Sequence, residues 1–166
     1  KTLGTYDPHP EAAEPSHTLL PFPFKIDGRD IALGTDEERG TRGVDVGKPH
    51  GPLYVFDVTD PTKMELLHTY HVLEDNMPYV GDDVRFGAHQ FREKFDDTLT
   101  YVTWFAAGLR ILDIANPRQP EEVAYFIPEP GLGYNAPQTN DVALDHRGLI
   151  YITDKARGFD VIEHKR

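Results

Sequence analysis

Eight histidines and 28 aspartates and glutamates supply most of the reactive groups in this 166-residue chain, because cysteine is absent. With it go thiolate nucleophiles, thiolate metal ligands and disulfides. Three short segments place polar residues at matching positions: Ser16-His17-Thr18-Leu19, Ala88-His89-Gln90-Phe91 and Thr139-Asn140-Asp141-Val142. If the segments are equivalent, His17, His89 and either Asn140 or Asp141 converge. Two imidazoles and a carboxylate are a ligand set for zinc, copper or iron, since a neutral imidazole binds each through a ring nitrogen. Glu37 or Glu38, in Gly34-Thr35-Asp36-Glu37-Glu38, could add a carboxylate as ligand or base. The alternative is that these polar groups line a wet channel and satisfy backbone groups, duplication alone having put them in register.

Other patterns point to chemistry less directly. His68 and His71 are three residues apart, and on a strand an odd separation sends the two rings to opposite faces. The acidic run 74–83 offers oxygen ligands of the kind calcium takes, but without the EF-hand order of ligands and glycine. The glycines of 130–135 are followed by no helix that could hold a phosphate, and Ser16 beside His17 lacks the Gly-x-Ser-x-Gly elbow of a serine hydrolase. Trp104 and Phe105 are expected either to form an aromatic binding surface or to pack between strands. Arg110 alternates with Leu109 and Ile111, which makes it a third candidate for that surface or the partner of a nearby carboxylate.

The elements that must position these residues follow from a repeat. Leu53-Tyr54-Val55-Phe56-Asp57 and Leu109-Arg110-Ile111-Leu112-Asp113 are each followed by Asp-Pro or Asn-Pro at 60–61 and 116–117, and Phe159-Asp160-Val161-Ile162-Glu163 is a third copy. Upstream, Tyr101 and Tyr151 stand eight residues before Leu109 and Phe159, with Gly108 and Gly158 immediately ahead of the phrase. Downstream, Tyr70 and Tyr125 are read as equivalents whose offsets differ by one. The period is about 50 residues, and each unit contains short runs rich in Val, Ile, Leu, Tyr and Phe between Asp, Gly and Pro turns. No stretch of 11 or more residues keeps a helical apolar period, so the chain reads as all-β. Four-stranded units repeated at this spacing predict blades of a β-propeller.

The phrases Gly51-Pro52-Leu53-Tyr54-Val55-Phe56-Asp57-Val58-Thr59-Asp60-Pro61 and Gly108-Leu109-Arg110-Ile111-Leu112-Asp113-Ile114-Ala115-Asn116-Pro117 resemble the LVIVD repeat of bacterial and archaeal β-propeller proteins. His17 and His89 stand where that family often carries histidine. The resemblance implies a propeller fold and leans toward an exported prokaryotic protein. It implies no particular activity.

The blades are expected at 16–72, 86–128 and 138–164, the last with three strands, and 1–6 is expected to be an outer strand of a preceding or closing blade. About three blades' worth of strands suggests part of a six- or seven-bladed ring. The expected partner is then the remainder of the propeller, a second polypeptide or a second copy of the chain. A net charge of −11 argues against nucleic acid and anionic membrane surfaces, and no apolar run reaches the length of a membrane span. Two functions fit: a binding or scaffold module that presents its loops, or a metal-dependent oxidase or hydrolase with a His and carboxylate site in the channel.

Overall fold

The structure, a computed structural model, describes residues 1–10, 16–37, 51–73, 77–81 and 84–165. Glu38 and parts of the acidic run, 74–76 and 82–83, lie outside the described residues. Ten strands form three antiparallel sheets, and no helix occurs among the described residues. The first sheet has the order β1 (Ser16–Pro21), β2 (Ile31–Asp36), β3 (Leu53–Asp57) and β4 (Glu65–Tyr70). The second contains β5 (Leu99–Thr103), β6 (Leu109–Asp113) and β7 (Glu121–Phe126). The third contains β8 (Thr139–Leu144), β9 (Ile150–Asp154) and β10 (Gly158–Ile162).

The repeated phrase is the third strand of the first sheet and its counterpart in the other two. Its acidic residue ends the strand: Asp57 Oδ1 accepts the N–H of Thr59 and Asp113 Oδ1 accepts the N–H of Ala115, each at 2.9 Å. Asp60 and Asn116 then build the same Asx turn, accepting the N–H groups of Thr62 (2.9 Å) and Arg118 (3.2 Å). Both sheets carry a bulge at the same place, after Val55 and after Ile111. The register corrects one equivalence. Leu53 pairs with Tyr70 and Leu109 pairs with Phe126, so the counterpart of Tyr70 is Phe126, not Tyr125. Between β1 and β2, Asp27 and Gly28 both take positive φ (48° and 74°), as a tight two-residue hairpin turn requires.

Alternation along each strand sends side chains to both neighbours, so the cores lie between sheets. Ile31, Leu33, Leu53 and Val55 of the first sheet are buried in one cluster with Val102, Trp104 and Leu112 of the second. Tyr101, Leu109 and Ile111, from the other face of the second sheet, join Val142, Ile150 and Ile152 of the third. Stacking sheets face to face through successive cores is the construction of propeller blades. The outward face of the third sheet is open, with Phe159 69% and Val161 46% exposed.

Two further segments lie against these sheets. Residues 1–6 form no strand. They lie along the first sheet, with the Tyr6 ring edge-on to Phe56 at 5.3 Å and Gly4 so close to the Pro61 carbonyl that a Cβ would stand 1.9 Å from it. Residues 88–92 run irregularly beside β5, in the place that β1 takes in the first sheet: Phe91 bridges Val102, and N–H groups of His89 and Arg92 donate to the carbonyls of Thr103 and Tyr101, both at 2.9 Å.

Candidate metal centre

The first strand of each sheet carries an irregularity where the polar residues sit. In the first sheet the register passes from Ser16↔Asp36 to Thr18↔Thr35, which leaves His17 as the extra residue of a bulge. In the third it passes from Thr139↔Asp154 to Asp141↔Thr153, which leaves Asn140 in the same position. In the second, His89 and Gln90 share one partner, since the His89 N–H donates to the Thr103 carbonyl and the Thr103 N–H donates to Gln90. A bulge residue is released from the alternation of its strand and can be aimed elsewhere.

The sheets are tied at this level by a repeated bond. Thr35 donates its hydroxyl to the main-chain carbonyl of His89 in the next sheet (2.7 Å), and Thr103 contacts that of Asn140 in the sheet after it (2.9 Å). Thr35 and Thr103 are both buried.

His17, Glu37 and His89 come together, each offering a ligand atom within 4.8 Å of the others. The two rings stand 4.3 Å apart at 34°. Hydrogen bonds behind them bear on the tautomers. Thr18 donates its hydroxyl to Gln90 Oε1 (3.1 Å), which leaves the Thr18 oxygen to accept from Nδ1–H of His17 (2.7 Å). Nδ1 of His89 lies 2.7 Å from both the main-chain carbonyl of Asn140, an acceptor, and the Asn140 amide nitrogen, a donor, so these two contacts ask for opposite tautomers. His17 thus turns an unprotonated Nε2 toward Glu37 at 3.8 Å, and Nε2 of His89 stands 3.5 Å from the same carboxylate. Both separations exceed ordinary hydrogen-bond length. Burial pushes the His89 imidazole below its usual pKa, and the nearby His17 and Lys155 outweigh, with burial, the opposing pulls of the Asn140 carbonyl and Glu37.

Glu37 is held from behind by Arg85, whose guanidinium donates to Oε1 at 2.5 Å. Burial raises the Glu37 carboxyl, but the Arg85 hydrogen bond and charge, with His89 and His17, outweigh it and leave the group below its usual range. The cluster is partly open: side-chain exposure is 28% for His17, 30% for Glu37 and 12% for His89.

Phe105 forms the wall of the site. The Arg85 guanidinium lies 3.9 Å from its ring centre, and the His89 ring is 4.9 Å away. Its φ is +35°, a backbone state that a bulky L-residue adopts only when its surroundings impose it. The surroundings are a tight turn in which Gly108 N–H donates to the Phe105 carbonyl (3.1 Å) and Ala107 N–H to that of Trp104 (2.7 Å).

The structure moves the other candidate residues elsewhere. Asp141 is outside the group: it is exposed, on the outward face of the third sheet, where its Oδ1 accepts the N–H of Val142. The bulge at Asn140 is the reason, because it sets Asn140, not its neighbour, equivalent to the two histidines. Trp104, Phe105 and Arg110 do not form a surface, since they are 0%, 0% and 2% exposed. Both faces of the second sheet are covered, so alternation in its strands separates two interiors. Arg110 donates to the Ala107 carbonyl (3.0 Å) and Glu122 (3.2 Å). Arg85 was not singled out from the sequence, and its position in the irregular stretch before Ala88 offers no periodicity that would mark it.

Residues 99–126 match the family model of the LVIVD repeat. The match runs from the first residue of β5 to the last of β7, and so covers the three regular strands of the second sheet. No curated protein matches the chain. The chain carries an LVIVD repeat, and the stacked antiparallel sheets on either side of that repeat are blades of the β-propeller kind.

Proposed function

We propose that this propeller module binds a divalent transition metal through Nε2 of His17, Nε2 of His89 and the carboxylate of Glu37. The observation that carries the reading is the meeting of Nε2 of His17, Nε2 of His89 and the Glu37 carboxylate, with ligand atoms within 4.8 Å of one another. With both Nε2 atoms unprotonated, the three groups are acceptors that repel one another unless a cation lies between them. Donors about 2.1 Å from a tetrahedral ion stand roughly 3.4 Å apart, close to the separations here. Two histidines and one carboxylate suit zinc or ferrous iron and leave a coordination position open. A metal there would act as a Lewis acid on a bound oxygen or lower the pKa of a bound water. Arg85 and Asn140 orient the ligands, and Phe105 keeps one side of the site dry.

The test is metal content and affinity of protein purified without chelator or a histidine tag, by elemental analysis and calorimetry. One equivalent of zinc or iron is expected, with at least a hundredfold weaker binding in His17→Ala and His89→Ala. Wild-type protein that binds neither metal stoichiometrically would overturn the reading.

A second reading, as a scaffold, is favoured by the open face of the third sheet. In the first two sheets the corresponding face is buried by the next sheet, whereas Phe159 and Val161 are exposed. A further sheet of the same kind, from a second polypeptide or a second copy of the chain, would cover it. Sedimentation at rising concentration tests the second copy, and co-purification tests the separate polypeptide. A monomer without a partner at all concentrations would count against this reading.

A further inference from the structure

The threonine that ties one sheet to the next occurs a third time, on the open face. Register makes Thr153 the counterpart of Thr35 and Thr103, since the three pair with Phe159, Leu53 and Leu109, the first residues of the repeated phrase. Thr35 and Thr103 are buried and reach the carbonyl of the bulge residue in the next sheet, whereas Thr153 is exposed beside Phe159. The third sheet is also short of a strand. β3 pairs with β4 and β6 with β7, but among the described residues no strand pairs with the outer edge of β10. Residues 1–10 show the converse, because they cross the first sheet as β4 and Met77 cross the second. Tyr70, at the end of β4, stands edge-on to Trp104 at 5.8 Å and donates to Glu122, and Tyr6 stands edge-on to Phe56 at 5.3 Å. Further along, His9 Nε2 meets the Tyr54 hydroxyl (2.7 Å), and Met77 Sδ accepts from Arg110 (2.8 Å), which occupies the same place in the phrase as Tyr54. Residues 1–6 therefore lie where the fourth strand of a preceding sheet belongs, exposed and in no strand.

We propose that the open face docks on the first sheet of a second copy of this chain, with residues 1–6 of that copy pairing with β10 as its fourth strand. The inference rests on the scaffold reading above and commits it to one partner. A sheet with a free outer edge and a lone fourth-strand segment are complementary, and one chain carries both, so two copies complete each other reciprocally. Strand addition supplies main-chain hydrogen bonds for affinity, and the side chains that alternate along it supply the register. Thr153 then donates to the His17 carbonyl of the second copy, the equivalent of the His89 and Asn140 carbonyls. Phe159 and Val161 take the places that Leu53 and Val55 hold against the second sheet. Asn140 comes to stand beside His17 of the second copy, as His17 stands beside His89 and His89 beside Asn140 within the chain, so each copy adds a residue behind the other's histidine cluster. Two copies of three sheets fall within the roughly four to eight sheets of closed propellers.

Sedimentation of the full chain at rising concentration should show a reversible dimer and no larger species. The chain has no cysteine, so introduced ones report alone. The pairing of Leu109 with Phe126 and Arg110 with Tyr125, carried over to β10, sets Asp160 opposite Thr5 of the second copy. The double variant Thr5→Cys, Asp160→Cys should therefore close into a disulfide-linked dimer under mild oxidation. Thr5→Cys with Asp141→Cys, exposed on the same face but three strands away, should not. Thr153→Val, which removes a hydroxyl at an exposed position, should weaken the dimer at least tenfold, whereas a contact held by apolar burial alone would be unchanged or tightened. A monomer at every concentration, a dimer in which the 5–160 disulfide does not form, or one that Thr153→Val leaves unchanged would each overturn the proposal. A dimer of another geometry, or a co-purifying polypeptide of different sequence, overturns it and leaves the scaffold reading standing; a monomer with no partner of any kind removes both.

Discussion

Gly108 closes the turn that presents Phe105 to the His17, Glu37 and His89 cluster, and replacing it with alanine should cost the fold about 1–5 kcal/mol. Two costs add. The first is conformational: Gly108 has φ of +73°, a state that an L-residue reaches at roughly 1–2 kcal/mol, offset by about 0.4–1 kcal/mol of lost unfolded-state freedom. The second is steric: an alanine Cβ would stand 2.1 Å from the Phe126 carbonyl oxygen and 2.8 Å from Ile127 Cα. Those atoms are backbone at the exit of β7, so the strand itself must shift, at a cost of about 1–3 kcal/mol by comparison with overpacked cores. Gly148 separates the two contributions. Its φ of +82° is similar, but nothing lies within 4 Å of a Cβ there. Gly148→Ala should therefore lose only about 1 kcal/mol or less. Urea denaturation of both variants, with unchanged m-values, measures the difference, and for a chain of this size each kcal/mol moves Tm by about 2–4 °C. If Gly108→Ala and Gly148→Ala lose the same stability, the close approach of β7 to the Phe105 turn is not a constraint on the fold. Gly108→Ala should also loosen the Arg85 and His89 contacts with Phe105 and weaken metal binding, which Gly148→Ala should leave intact.

Burial, with a smaller contribution from His68, depresses the pKa of His71 from its ordinary 6.5. The unfolded chain therefore takes up a proton before the folded chain does, so His71 costs no stability above about pH 6.5 and progressively destabilises as the pH falls toward its folded value. Stability measured at pH 7.5 and 5.5 should show a smaller acid loss in His71→Gln than in the wild type. Arg110→Ala leaves Glu122 without its buried guanidinium and should cost about 3 kcal/mol, whereas Arg110→Met, which keeps the packing, should cost distinctly less in the same denaturation assay. Thr103→Val removes a hydroxyl that sits 2.9 Å from the carbonyls of both Gln90 and Asn140, and a loss of about 1–3 kcal/mol is expected. Phe159→Asp, at an exposed position, should change monomer stability by no more than about 0.5 kcal/mol yet abolish any self-association seen in sedimentation.

The repeat could be read because each part of its phrase has a local task. Asp57 and Asp113 end a strand by capping the next N–H groups, and Asp60 and Asn116 start the turn, so these letters recur wherever the geometry does. The meeting of His17 and His89 was legible for the same reason, through equivalent positions in successive units. Glu37 follows from its place immediately after β2. Asp141 was misjudged because a bulge adds one residue to a strand without leaving a mark on composition. For Trp104, Phe105 and Arg110 the packing alternative holds, with Arg110 paired to Glu122; alternation identifies an outside only where one face of a sheet meets water, and the second sheet has none. Arg85 belongs to an irregular stretch whose role depends on contacts with Glu37 and Phe105, distant in sequence, which no local pattern records.

The threonine bonds between sheets have a direction. Thr35 reaches forward to the residue-89 carbonyl and Thr103 reaches forward to the residue-140 carbonyl, always from the second strand of one sheet to the first strand of the next. Such an interface is heterologous: its two sides differ, and it can be extended only head to tail. Two copies of this chain could not continue the stack by pressing their open third-sheet faces together. The open face of one would have to meet the first-sheet face of the other, where residues 1–10 now lie, so association and the position of that segment would be a single equilibrium.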